Sequence, residues 1–122
     1  WNVRVVNANA GHMLPTGDPE RAVIVTLACL AGNGDTLAAE QTRFGQKWQW
    51  WPEPKKLADD RLAPGTERTL TLRLDPAPLG AWTLVATAVN ERISDTNADF
   101  HRLPASYPRR AEVARIVARP RR

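Results

Sequence analysis

One cysteine, one methionine, one tyrosine and two histidines leave this chain of 122 residues few groups for thiol or metal chemistry. The lone thiol, Cys29, excludes an internal disulfide and a cysteine-based zinc site. It lies within the apolar run Val23–Leu30, where it reads as a small buried side chain. A copper site built from cysteine, methionine and histidine is excluded as well, because no histidine or methionine follows Cys29 closely. No apolar run approaches the ~20 residues that a membrane helix needs, and no leader pattern opens the chain. Trp1 already stands inside a strand-like pattern, as expected for a piece of a longer protein.

Catalytic pairings are also missing. No nucleophile and base stand at a recognisable spacing, and Asp59-Asp60, followed by Arg61, reads as part of a turn. The chain by itself is therefore not expected to be an enzyme. Basic residues are scarce in the body, which holds eleven against twelve acidic ones; six arginines against Glu112 fall in residues 109–122. The pI near 10.0 belongs to this basic C-terminal tail, so a basic nucleic-acid-binding face is not expected.

What the chain does have is a series of short apolar runs punctuated by turn residues. Val3-Arg4-Val5 alternates and opens a strand through Val6. Residues 22–30 form a buried strand. Ala31-Gly32-Asn33-Gly34-Asp35 is a hairpin turn leading to a partner over Thr36–Phe44, in which Leu37 and Ala39 take one face and Glu40 and Thr42 the other. Gly45–Leu62, with three tryptophans and two prolines, reads as an irregular connection. Ala63-Pro64-Gly65-Thr66 carries a type II turn signal ahead of a half-buried strand over Glu67–Leu74. Ala81–Val89 is a further strand with Trp82, Leu84 and Ala86 on one side. A short helix fits within Glu91–His101; Ala111–Ala118 fits a helical stripe or a closing strand, the strand being favoured. Five or more short strands with proline and glycine turns predict one all-β domain over 1–122, an antiparallel β-sandwich, immunoglobulin-like in the loose sense.

Two segments carry a family resemblance. Asn7-Ala8-Asn9-Ala10-Gly11-His12-Met13-Leu14-Pro15-Thr16-Gly17 resembles the Asn-x-x-Ala-Gly-His-x-x-Pro-Thr-Gly segment of multihaem c-type cytochromes. Asp60-Arg61-Leu62-Ala63-Pro64-Gly65-Thr66, preceded by Asp59, resembles the Asp-x-Arg-Leu-x-Pro-Gly segment of the same β-sandwich module. The likeness spans residues 2–90. It implies a periplasmic or extracellular electron-transfer protein, in which this module accompanies a haem-bearing domain or subunit and meets a redox partner protein. The chain departs from the family in lacking Cys-x-x-Cys-His, so haem c would be held by neighbouring sequence or a partner.

Seen through that resemblance, His12 has two readings: an axial ligand to haem iron, with its second ring nitrogen held by a backbone carbonyl or Asp18, or an imidazole that shapes its own loop. Met13 is a weaker ligand candidate, better suited to apolar packing. His101 is a second candidate for haem contact, or else a surface imidazole. Trp48, Trp50 and Trp51 read as a docking surface for a neighbouring domain. In the alternative, a stand-alone immunoglobulin-like module, they contact a glycan or protein. Arg109 and Arg110 suit haem propionates or an acidic partner, or belong to a solvated end. A homo-oligomer or polymer is compatible with all of this. Asp18 is expected to accept from backbone amides beyond Pro19. A phosphate loop is excluded, since the stretch has no lysine and no helix after it.

Overall fold

The computed structural model describes residues 1–119, and in it the apolar runs become two antiparallel sheets. The smaller pairs β1 (Asn2–Val6) with β5 (Glu67–Thr71), Asn2 opposite Thr71 and Val6 opposite Glu67. The larger has five strands in the order β4-β3-β2-β6-β7. They are β2 (Ala22–Ala31), β3 (Thr36–Gln49), β4 (Lys55–Asp59), β6 (Trp82–Glu91) and β7 (Arg110–Ala118). A six-residue helix, α1 (Asp95–Phe100), stands between β6 and β7. The all-β sandwich expected from the sequence is the fold observed. Among the described residues no helix is long and apolar enough to cross a membrane.

Strand β2 lies at the centre of the large sheet because both its neighbours find it complementary over nearly its whole length. Its alternating Val25, Leu27 and Cys29 face the small sheet. Val25 packs with Phe44, Leu62 and Leu70; Leu27 and Cys29 pack with Leu72 and Leu84. Burial pushes the Cys29 thiol above its ordinary pKa, consistent with an inert core side chain.

The hairpin expected after β2 does form, its turn closed by Gly34 N–H donating to Ala31 O (2.9 Å) and Ala31 N–H donating to Asp35 O (2.8 Å), with Gly34 at φ 93°. Several other expectations change. In β3, Phe44 turns to the core while Leu37 and Ala39 face solvent. The expected irregular connection is in large part regular: β3 runs on to Gln49 and turns back as β4, Gln46 opposite Asp59 and Gln49 opposite Lys55. As an exposed edge, β4 needs no apolar face, so Lys55-Lys56-Leu57-Ala58-Asp59 shows no alternation. Strand β5 ends at Thr71, though Leu72 is still buried. The type II turn forms as expected, with Gly65 at φ 72° and Thr66 N–H donating to Ala63 O (3.1 Å). The basic end is no free tail: through Ala118 it is β7, with Leu84 opposite Ala118 and Glu91 opposite Arg110. Arg121 and Arg122 lie outside the described residues.

The two segments that carry the family resemblance meet in space. Leu14 and Leu62 exchange backbone hydrogen bonds of 2.9 and 2.8 Å. Asn7, fully buried, donates through Nδ2 to His12 O (2.8 Å) and Leu62 O (3.0 Å). Its own backbone accepts from Gly65 N–H (2.8 Å) and donates to Thr66 O (3.0 Å). Below this junction Asp59 takes a two-pronged contact from Arg61 (2.8 and 2.7 Å), which holds its carboxyl well below the usual carboxylate range, with Lys56 adding to the effect.

Two outcomes follow. Asn7→Ala removes the donor shared by the His12 and Leu62 carbonyls and is expected to cost about 1–3 kcal/mol. Asn7→Asp sets a carboxylate against two carbonyls and should cost more at neutral pH; equal urea midpoints for the two variants would contradict this role. Asp59 loses its proton more readily folded than unfolded. Its stabilisation is therefore complete above the ordinary carboxylate pKa of about 4 and drains away on acidification below it. In thermal melts Asp59→Asn should flatten the acid limb, while a limb parallel to that of the unaltered chain would contradict the assignment.

Candidate functional site

Two regions gather the side chains singled out from the sequence, and they are built differently. The first is the loop between β1 and β2. Asn7 fixes its start, Leu14 is tied to Leu62, and Pro15 is buried, so the turn that carries His12 is held from both ends. Farther on, Asp18 Oδ1 accepts from Glu20 N–H (2.8 Å) and Asp18 O from Arg21 N–H (3.0 Å), as expected of an aspartate before a proline. The His12 side chain is exposed and its Nδ1 lies 2.9 Å from Met13 O. A carbonyl only accepts, so in this contact Nδ1 carries the proton and a neutral ring keeps its lone pair on Nε2. That is the chemistry of a donor ligand whose tautomer is set by a backbone partner. Met13 is half-buried beside it. Asp18 does not take the ring nitrogen; the backbone carbonyl does.

The second region is aromatic and lies where β3 ends. Trp48 and Trp50 are two apart and share a side of the chain. Their rings stack 5.2 Å apart and nearly parallel, at 9°. Trp48 Nε1 donates to Gln46 Oε1 (2.9 Å) and Trp50 Nε1 to Glu20 Oε1 (3.0 Å). The other oxygen of Glu20 accepts from Asn97 Nδ2 at 2.6 Å. Glu20 therefore ties together the loop before β2, the end of β3 and helix α1. Ser94 caps that helix, its Oγ accepting from Asn97 N–H (3.3 Å), and Ala98 is its buried anchor.

Two open clefts flank the Glu20–Trp50–Asn97 ridge. One, of about 510 Å³, is lined by Trp48 with Arg43, Lys47, Asp60 and Glu91. The other, of about 610 Å³, is lined by Trp50, Trp51, Phe100 and His101 with Asp18 and Glu20. Trp51 is 84% exposed and Phe100 80%, an unusual amount of bare aromatic surface. His101 stands edge-on to Phe100 (centroids 5.3 Å apart, 84°). Stacked face to face, Trp48 and Trp50 do not lie side by side as a flat platform for a sugar ring.

Arg109 and Arg110 are committed to the fold's own carboxylates. Arg110 contacts Glu91 (2.8 Å) and Asp95 (3.1 Å); Arg109 contacts Asp95 (3.3 Å) and Asp99 (3.1 Å). Glu91, 4% exposed, also faces Arg43 at 3.9 Å. Arg110 and Arg109 together hold Asp95 below the usual carboxylate range. Neither arginine is the solvated end that the sequence left open. Among the described residues no group of three or more histidine, cysteine or acidic side chains is arranged to hold a metal ion.

The structure thus brings Trp50, Trp51 and His101 to one cleft and leaves His12 on its own loop. Sequence reasoning missed Glu20, Asn97 and Phe100. Only Phe100, an aromatic in a polar segment, left a trace in the sequence.

No protein-family model matches the chain, and no curated protein is similar to it in sequence. Among solved structures, a penta-heme cytochrome c552 from Thermochromatium tepidum is similar, with a TM-score of 0.77 and 21% identity. The match covers 98% of this chain and 35% of that one, so the chain spans about a third of that protein's length. At this identity the likeness is one of fold.

Proposed function

We propose that this chain is the haem-free β-sandwich part of a multihaem c-type electron-transfer protein that works in the periplasm or outside the cell. The observation that carries the reading is the shared fold with a penta-heme cytochrome over 98% of the chain. The junction of the two family-like segments at Asn7 and Leu62 adds to it, because residues 55 positions apart combine into one support for His12. With a single buried cysteine the chain offers no covalent attachment for haem, so the haem belongs to a neighbouring domain or subunit. When bound there, haem supplies the one-electron chemistry.

The contribution of this chain is to dock and to offer a donor. The exposed Trp50, Trp51 and Phe100 give an apolar face for the haem-bearing part to cover. His12 presents Nε2 from a loop fixed by Asn7, with Nδ1 held by Met13 O, which suits an axial ligand to iron.

In the haem-bearing protein that contains this chain, His12→Ala is expected to convert one haem from low-spin to high-spin while the others keep their ligands. Electron paramagnetic resonance reads the change directly. An unaltered spectrum in the folded variant would remove His12 as a ligand and leave it a loop residue.

A further inference from the structure

We propose that the cleft between Glu20, Trp50–Trp51 and Phe100 receives the alkylammonium group of a lysine carried by a partner protein. Its walls are three aromatic rings, whose negative faces attract a cation, indole most strongly. The charged side chains that line it, Asp18 and Glu20, are both acidic, and among the described residues neither lysine nor arginine lines it. Trp50 Nε1 and Asn97 Nδ2 hold the Glu20 carboxylate in place from two sides (3.0 and 2.6 Å), so it is positioned before any ligand arrives. Lysine matches this combination: a carbon stem to lie along the rings and a compact charge to meet the carboxylates.

The adjoining cleft is unsuited to the same ligand. Arg43 and Lys47 line it together with Glu20, Asp60 and Glu91. Glu91 is already paired with Arg110 and faces Arg43, so a cation entering there meets positive charge that the lining of the Trp51 side does not present. The exposure of the rings argues for a ligand delivered on a protein surface. Trp51 and Phe100 stand 84% and 80% exposed, so a small free cation would leave them wet, whereas a docked surface covers them. The identity of the carrier, the haem-bearing part, rests on the function proposed above; the chemistry of the cleft does not.

The test is a nuclear magnetic resonance titration of the haem-free 122-residue chain, following the indole N–H signals of Trp50 and Trp51. The probes are Nα-acetyl-lysine methylamide, the corresponding norleucine derivative and choline. The lysine derivative should give saturable shifts, with norleucine about fivefold weaker or more. Combining Asp18→Asn with Glu20→Gln, which keeps an acceptor for Trp50, should weaken lysine binding about fivefold, and the exposed Trp51→Ala should do the same. Equal affinity for norleucine, indifference to these substitutions, or no shift with lysine would overturn the proposal. Choline binding more tightly than lysine would also overturn it, in favour of a small quaternary ammonium ligand. Since the titration contains no haem, its failure leaves the cytochrome reading untouched, and a haem-free parent protein would leave a positive titration standing.

Discussion

The buried amide of Asn7 is the interaction on which the arrangement of this domain depends. It reaches the carbonyls of His12 and Leu62 at once, while its backbone is tied to Gly65 and Thr66. In a buried site such groups need partners, and Asn7 supplies a donor to the His12 carbonyl and both donors and an acceptor to residues 62–66. The Leu14–Leu62 bridge extends the same seam and places Leu14 against Val25, Phe44 and Leu70 in the core. The His12 loop is thereby fastened to the sandwich although it has no regular structure of its own. A long loop that is pinned this way presents a side chain with little freedom left to lose on binding.

Much of the sheet architecture was legible because it rests on local rules. Alternation in β1 and β6, the Pro64-Gly65 turn and the short helix near Asp95 all follow from residues close in sequence. The reading failed where an element owes its form to a partner. Strand β4 shows no apolar alternation and becomes a strand because the end of β3 lies beside it. The arginines at 109 and 110 looked unpaired along the chain; their carboxylates come from Glu91, Asp95 and Asp99 once α1 folds back. The site shows the same limit. The tryptophans were visible as a cluster, but Glu20 and Asn97, which hold the cleft's ridge, lie 77 residues apart.

The domain divides its chemistry between two regions. His12 stands on the seam built by Asn7, with its ring set by a backbone carbonyl. The aromatic clefts lie where β3, α1 and the loop before β2 converge, braced by Glu20 and by the ion pairs around Glu91. Exposed ion pairs of this kind add little stability, but Glu91 is buried, and removing Arg110 would leave its charge with a single partner at 3.9 Å. Rigid placement of the exposed rings suits the docking surface proposed above.

The central claim is that this chain belongs beside haem. The direct measurement is a visible absorption spectrum of the protein that naturally contains it, isolated from its own cells, with haem counted per polypeptide by the pyridine haemochrome method. Bands of c-type haem, with several haems for each copy of this domain, are the expected result. A colourless protein would contradict the account and leave a β-sandwich whose aromatic cleft serves some other partner.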